Sequence, residues 1–398
     1  MHATSTEAVQ ITAPEEVRPA KDACSSQSSD FISATDGALL EQWHDLNKRV
    51  DDAKPFDTPE WYQAFAASFV DDRQAKLVTV SRGGSLVGVV PLLRSESFFG
   101  RVPAKTLRSL SGIHSCRFDM VSDSSDDPDE IAQAAWRELE RDNSWQVIEA
   151  LDVPENCNFQ RIVEKAGGEG FLVGEWPTRF SPVLRLPHKP SDPFSYCPRG
   201  FRAFRKKLQP KLDSLEALGQ VSFGVDTLPY GDGLVKFMRL ESSGWKGTNG
   251  SAIISNKKTA KFYSLFVENL QKRGVLRMYS LNLNDKPIAM QLGLFMNGVY
   301  YSPKAAYDES FSKFAPGHLL VRYLIGDLIE NNARLFEFLG PRAFWKTIWT
   351  KDVVRHSNLY IFRPSLKGRA LHGLTMGLGP KLRSLKHRWF GDPQSVAK

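Results

Sequence analysis

Cysteine is scarce in this chain and long apolar runs are missing. Its 398 residues include only four cysteines, Cys24, Cys116, Cys157 and Cys197, far apart and without a CxxC pair. That spacing excludes a zinc ribbon and argues against a disulfide scaffold. No stretch approaches the roughly 18 apolar residues of a membrane-spanning helix. The start of the chain has neither the basic opening nor the apolar core of a secretory signal, so a cytoplasmic address with reduced thiols is expected. A Walker GKS/T ending and a GxGxxG fingerprint are both missing. His114, His318 and His356 have no carboxylate or cysteine partner at a recognisable spacing, so no metal site and no Ser-His-Asp arrangement is expected.

What is present is length and an uneven charge. The chain is long enough for two or three domains of about 150 residues each. With 41% hydrophobic residues and a mean hydropathy of −0.33, it has the composition of a globular protein. Lys and Arg number 52 against 45 Asp and Glu, a formal charge of +7. The surplus is local: residues 1–36 carry −4, Arg199–Asp213 +5 and the segment after Pro364 +6, which leaves the remainder neutral. A neutral body argues against a broad nucleic-acid face and against DNA as a partner. In the tail, Leu378, Leu382, Leu385 and Trp389 recur at helical spacing between lysines and arginines. That pattern predicts a basic amphipathic helix that rests on an anionic membrane surface or docks on its own domain.

Residues 1–36 are rich in Ser, Thr, Ala, Pro and Glu and read as a disordered leader. Helical periodicity begins at Leu39 and again over Pro59–Phe69. The period then changes to two, with a hairpin turning at Gly83-Gly84, a strand near Lys105–Leu110, a helix over Pro128–Arg141, strands at Trp145–Leu151 and Phe171–Glu175, and a helix between these two. A proline-rich linker follows, residues 187–198. A basic helix over Phe201–Leu218 is expected to break near Pro210, which lacks an amide donor. Two further helices precede a meander turning at Asn284-Asp285 and Asn297-Gly298. An apolar helix, His318–Asn331, and a strand, Leu335–Leu339, come next. The order is similar in both halves, which predicts a mixed α+β chain of two tandem modules, residues 37–186 and 199–364, with a basic tail at 365–398.

One loop has the makings of a phosphate seat. The segment Phe314-Ala315-Pro316-Gly317-His318 joins a strand to a helix, and unpaired amides at a helix start hold phosphate. Lys313 and His318 would add to it.

Three strings carry a family resemblance: ESSGWKG at Glu241–Gly247, AAYDESFSKFAPGHLL at Ala305–Leu320, and FEFLGPRAFWKTIWTK at Phe336–Lys351. Together they resemble the CelD/BcsL-type acetyltransferases of the GNAT superfamily, with a tandem plan similar to the FemAB transferases. The resemblance implies two GNAT-like modules, each a mostly antiparallel sheet flanked by helices. It also implies acyl-CoA as co-substrate, its pyrophosphate on the Phe314–His318 loop, and transfer to an amino or hydroxyl group of a polysaccharide, cell-envelope or lipid precursor. Aminoacyl-tRNA as donor, or a non-catalytic scaffold in an exopolysaccharide or cellulose synthesis complex, is the alternative. For the chemistry itself, Glu241 is the candidate base because it ends a helix beside an irregular turn. Tyr307 is a candidate proton donor to the leaving sulfur, and Asp308 would orient the acceptor. Lys346 follows a strand end where a sheet opens. Trp245, Lys246, Trp345 and Trp349 are candidate substrate contacts, the tryptophans by stacking, although Trp345 and Trp349 at i and i+4 also suit a core.

Overall fold

Each predicted two-residue turn needs positive φ angles, and each has them: 55° and 80° at Gly83-Gly84, 48° and 62° at Asn284-Asp285, 49° and 71° at Asn297-Gly298. In the computed structural model, which describes residues 22–30, 37–70, 74–112, 114–188, 192, 196, 198 and 201–378, these turns close three hairpins. The first joins β2 (Ala75–Arg82) to β3 (Ser85–Phe99), and the others join β9 (Leu276–Leu283), β10 (Lys286–Met296) and β11 (Val299–Tyr307) in sequence.

The described residues form one sheet of 13 strands. The other members are β1 (Ser25–Asp30), β4 (Val102–Ser109), β5 (Val121–Ser122), β6 (Val147–Pro154), β7 (Leu172–Arg185), β8 (Val221–Asp226), β12 (Leu335–Glu337) and β13 (Val353–Phe362). Apart from β5, which pairs with β3, their order is β1-β2-β3-β4-β6-β13-β7-β12-β11-β10-β9-β8. That order is a palindrome. Each half contributes four strands linked antiparallel, then a fifth added parallel (β4 to β6, β11 to β12). The last strand of each half then crosses over. β13, from the second half, pairs with β6 of the first, while the end of β7 pairs with β12 of the second. The two exchanged strands run antiparallel beside each other from Val353↔Pro182 to Phe362↔Leu172.

Three expectations need correction. Ser25–Asp30, inside the stretch read as a disordered leader, is strand β1 on the edge of β2. Its side chains are polar, so backbone ladder bonds hold it and no hydrophobic period announces it. The basic helix α5 (Arg202–Glu216) runs unbroken through Pro210. The carbonyl that loses its partner belongs to exposed Lys206, where water can replace the bond. β7 extends ten residues beyond Glu175, and β13 lies past the last strand expected from the sequence. The amphipathic tail, apart from Leu378, and most of the proline-rich stretch lie outside the described residues.

The flanking helices are α1 (Ala38–Lys48), α2 (Pro59–Phe69), α3 (Pro128–Arg141), α4 (Phe159–Gly168), α6 (Asp232–Ser243), α7 (Lys257–Gln271), α8 (Pro316–Glu330) and α9 (Leu366–His372). α2 and α7, counterparts in the two halves, pack on each other. Trp61 meets Phe262 and Phe266 edge-on, each at 5.0 Å, and Phe65 meets Phe262 at 6.1 Å. Trp43, Leu46, Phe237, Met278, Leu292 and Tyr301 belong to the same core, which therefore draws on both halves. Separate cores lie under α3 and α4 and under α8.

Neither half completes its own sheet or core. Residues 22–186 expressed alone would lose β13 from β6 and leave Trp61 and Phe65 uncovered. We expect them to form a molten or aggregated species without near-ultraviolet circular dichroism; a cooperatively folding monomer would contradict the shared core. In the full chain Trp61→Ala is expected to cost about 3–5 kcal/mol in chemical denaturation.

Candidate active site

The candidate cleft opens where two parallel strands part. β11 pairs with β12 only at Val299–Tyr301, yet β11 runs on to Tyr307 while β12 stops at Glu337. Leu339 and Gly340 then turn the chain away with φ of 51° and 60°. Parallel strands that diverge at their carboxyl ends leave a crevice, and in open α/β sheets ligands settle there.

One wall is the start of α8. A short 3-10 helix, Glu309–Phe314, ends at Ala315, whose left-handed φ of 53° redirects the chain into Pro316 at the first helical position. The first turn contains no acidic side chain, and no side chain caps it. Gly317 has an ordinary φ, and a β-carbon built on it would approach only Tyr307 Cδ1, at 3.9 Å. Neither backbone strain nor a protein neighbour demands glycine there. The expected loop residues are thus brought together, with half-exposed Tyr307 above the helix start. His318 is different from expectation: its Nδ1 accepts the indole N–H of Trp349 at 3.2 Å, and burial lowers its pKa. It is a neutral ring with Nε2–H as its donor, adding no charge. α5 covers the same end, its Phe204 against the rings of His318 (5.1 Å) and Trp349 (5.6 Å) and its Lys211 donating to the Lys313 carbonyl.

Glu241 sits at the end of α6 but inward, with only 2% of its surface exposed. Its carboxylate accepts from Lys246 Nζ (3.0 Å) and the Ile253 amide (2.8 Å), and Lys304 Nζ lies 3.5 Å away. These contacts fasten the end of α6 to the turn at Lys246, to Ile253 and to β11. Lys246 also donates to the Ala305 carbonyl (2.8 Å), tying the turn after α6 to β11. Asp308 is likewise occupied: it caps the 3-10 helix through the Ser310 amide (3.0 Å) and hydroxyl (2.6 Å). Trp245 is exposed, its amide donating to Glu309 (2.8 Å). Trp349 is in the core, as are Tyr300 and Tyr301.

Lys346 is the unusual cation. It is 8% exposed, and its Nζ donates to the carbonyls of Leu339 and Pro341, fastening the turn that ends β12. Burial pushes its pKa down to about 8. Trp345 lies under the same ammonium, 5.5 Å from ring centre to nitrogen.

The sequence did not reveal the surroundings of these groups. Lys304 joins Glu241, its own pKa lowered by burial, and lies over the ring of Tyr263 in α7. Tyr263 Oη is 3.4 Å from Nδ1 of His114, a first-half residue stacked between Phe69 and Phe262. Burial, with Lys304 adding to it, brings the His114 pKa down to about 4 and keeps the ring neutral at physiological pH. Arg117, also from the first half, pairs with Glu337 at 2.9 Å. His114 and Arg117 lie more than a hundred residues from their partners in the chain, and Lys304 is sixty-three from Glu241, so no local spacing signals them.

Residues 202–347 match the family model described as an acetyltransferase (GNAT) domain. Among solved structures, that of FemX is similar at 12% identity and a TM-score of 0.56, over 87% of this chain and 99% of that one. A conserved protein of unknown function from Bacteroides thetaiotaomicron VPI-5482 is similar at 11% identity and a TM-score of 0.51, over 81% and 97%. A tandem GNAT protein from the clavulanic acid biosynthesis pathway, solved without AcCoA, shows 14% identity and a TM-score of 0.42, over 86% and 99%. No curated protein matches the chain. At these identities the likeness to solved structures is one of fold: a mixed α/β, GNAT-like fold with a large, mostly antiparallel sheet flanked by helices. Among the described residues no group of three or more His, Cys, Asp or Glu is placed to hold a metal ion, and no helix is long and apolar enough to cross a membrane.

Removing the Glu241 carboxylate would leave two ammonium groups and an amide without their shared partner. Glu241→Ala is expected to destabilise the chain by about 3–5 kcal/mol in urea titration. A loss below about 1 kcal/mol would show that the lysines relax into solvent instead.

Proposed function

We propose that the chain is an acyltransferase of the CelD/BcsL type, moving an acyl group from an acyl-CoA donor to an amino or hydroxyl group. The acceptor class we favour is a polysaccharide, cell-envelope or lipid precursor. The observation that carries the reading is a contrast between two related helix starts. α3 and α8 occupy equivalent places in the palindrome, and both begin with proline. At α3, Asp127 caps the helix and Asp129 and Glu130 fill the first turn; at α8 there is no acid and no cap. Only the second arrangement leaves its positive end open to a phosphate.

In this reading the donor's pyrophosphate lies against the α8 start, approaching the backbone closely at Gly317, with the basic face of α5 beside it. The bound thioester supplies the activated acyl carbon. As the acceptor nitrogen or oxygen bonds the acyl carbon and the carbon–sulfur bond breaks, Tyr307 gives its phenolic proton to the departing sulfur and regains one, through solvent, from the acceptor. Lys346 spends two of its three N–H bonds on Leu339 and Pro341; the third is the donor for developing negative charge on the carbonyl oxygen. Lys246 and Lys304, fixed by Glu241, shape the opposite wall, and exposed Trp245 and Trp345 offer faces for the acceptor. Asp308 acts through the loop it caps. Much of the rate enhancement in such a site comes from holding both substrates together.

Calorimetric titration with CoA and acetyl-CoA tests the donor. We expect binding that Gly317→Trp abolishes and Gly317→Ala preserves, with the melting temperature nearly unchanged in both; absence of any CoA binding or acyl incorporation would refute the proposal. Because Lys346 acts protonated, turnover should fall as pH rises through about 8. Lys346→Arg, which stays charged, should lack that alkaline limb. Should aminoacyl-tRNA be the donor instead, the exposed Arg202, Lys206 and Lys207 on α5 would meet its phosphates, and binding would weaken steeply with salt.

A further inference from the structure

The palindrome gives the first half its own version of the cleft, with the charge reversed. Beside the start of α3 lies a cavity of about 400 Å³, within the size range of small-molecule sites. Ser122, Asp123, Ser124, Asp126, Pro128 and the turn after β6 line it, and Arg117 and Glu337 close the side nearest the second half. Six carboxylates face it (Asp52, Asp119, Asp123, Asp126, Glu155 and Glu337), against two cations, Lys54 and Arg117.

Most of these acids are already paired. Asp52 is bound by Lys54 (3.0 Å), Glu337 by Arg117 (2.9 Å), Asp126 by Arg82 (2.7 Å) and Asp123 by Arg49. Asp119 and Glu155 have no ion-pair partner among the described residues. Asp119 Oδ1 accepts the amides of Met120 (2.7 Å) and Phe159 (2.9 Å), and Glu155 Oε1 accepts the Arg355 amide at 3.3 Å. Ser122 also lines the cavity. It is 4% exposed, and its hydroxyl has no hydrogen-bond partner in the protein. A buried hydroxyl without a partner is costly, and it is repaid where a bound molecule completes it.

We propose that this cavity is a second ligand site, for a small molecule carrying a protonated amine. Asp119 and Glu155 hold the ammonium, and Ser122 hydrogen-bonds a neighbouring hydroxyl or carbonyl. Phosphate-bearing molecules are turned away by the acidic start of α3. Glu337, the last residue of β12, lines the cavity where it pairs with Arg117, which places the occupant beside the candidate cleft, as an acceptor would be. Only that last assignment rests on the acyltransferase reading; the binding itself does not.

The test is calorimetry of the full chain with glucosamine, lysine and putrescine, their N-acetylated forms, and inorganic phosphate as probes. At least one amine should bind, with its acetylated form and phosphate weaker by about tenfold or more. Glu155→Lys, an exposed change that leaves folding intact, should weaken the amine by about tenfold or more, and Asp119→Asn should do the same. CoA affinity should stay unchanged in both variants. Equal binding of acetylated and free amines, no binding by any amine, or affinity unaffected by either substitution would overturn the site. CoA binding without amine binding would remove this proposal and leave the donor reading standing; amine binding without CoA would do the reverse.

Discussion

The exchange of β7 and β13 is the constraint on which the rest of the structure depends. Each strand finishes the sheet of the half that did not encode it, and the two pair along their length to fuse the halves. With the halves fixed, α2 and α7 are brought face to face and Trp61 closes on Phe262 and Phe266. Edge-on aromatic pairs of this kind add roughly 0.5–1.5 kcal/mol each beyond the area they bury. The exchange also removes two open sheet edges that would otherwise invite pairing between chains.

The candidate cleft inherits its geometry from that union. Glu337 ends β12, and its ion-pair partner, Arg117, comes from the first half. His114 reaches the second half through Tyr263, which lies under Lys304. The buried cations beside the cleft, Lys304 and Lys346, are therefore shielded by a neighbour that a single module would lack. Burial is the first cause of the lowered pKa of each.

The two halves are two versions of one architecture with different charges at their helix starts. Proline starts the helix in both, since a fixed φ and a missing amide cost nothing at that position. The acids that follow Pro128 have no counterpart after Pro316. A few side chains thus decide which helix end favours an anion, while the backbone that presents them is the same.

Much of the fold was legible in the chain. Gly83-Gly84, Asn284-Asp285 and Asn297-Gly298 specify their hairpins through φ angles that other residues adopt at a cost. Amphipathic spacing located most of the helices. The loop around Gly317 was legible for a similar reason, being local: strand, turn and helix start follow one another in sequence. β1 was hidden because backbone pairing, not apolar burial, holds it. β13 was hidden because its partners are residues 172–182 and 147–154, far upstream. Glu241 was read from its sequence neighbours alone, and its partner Lys304, sixty-three residues on, was not visible there. The sequence by itself determined the hairpins, most of the helices, the similar order of elements in the two halves and the loop that opens α8, all of which follow from short-range conformational preference. Only the tertiary structure decided which strand completes which half and which charges are buried together, because those depend on contacts between segments that no local spacing relates.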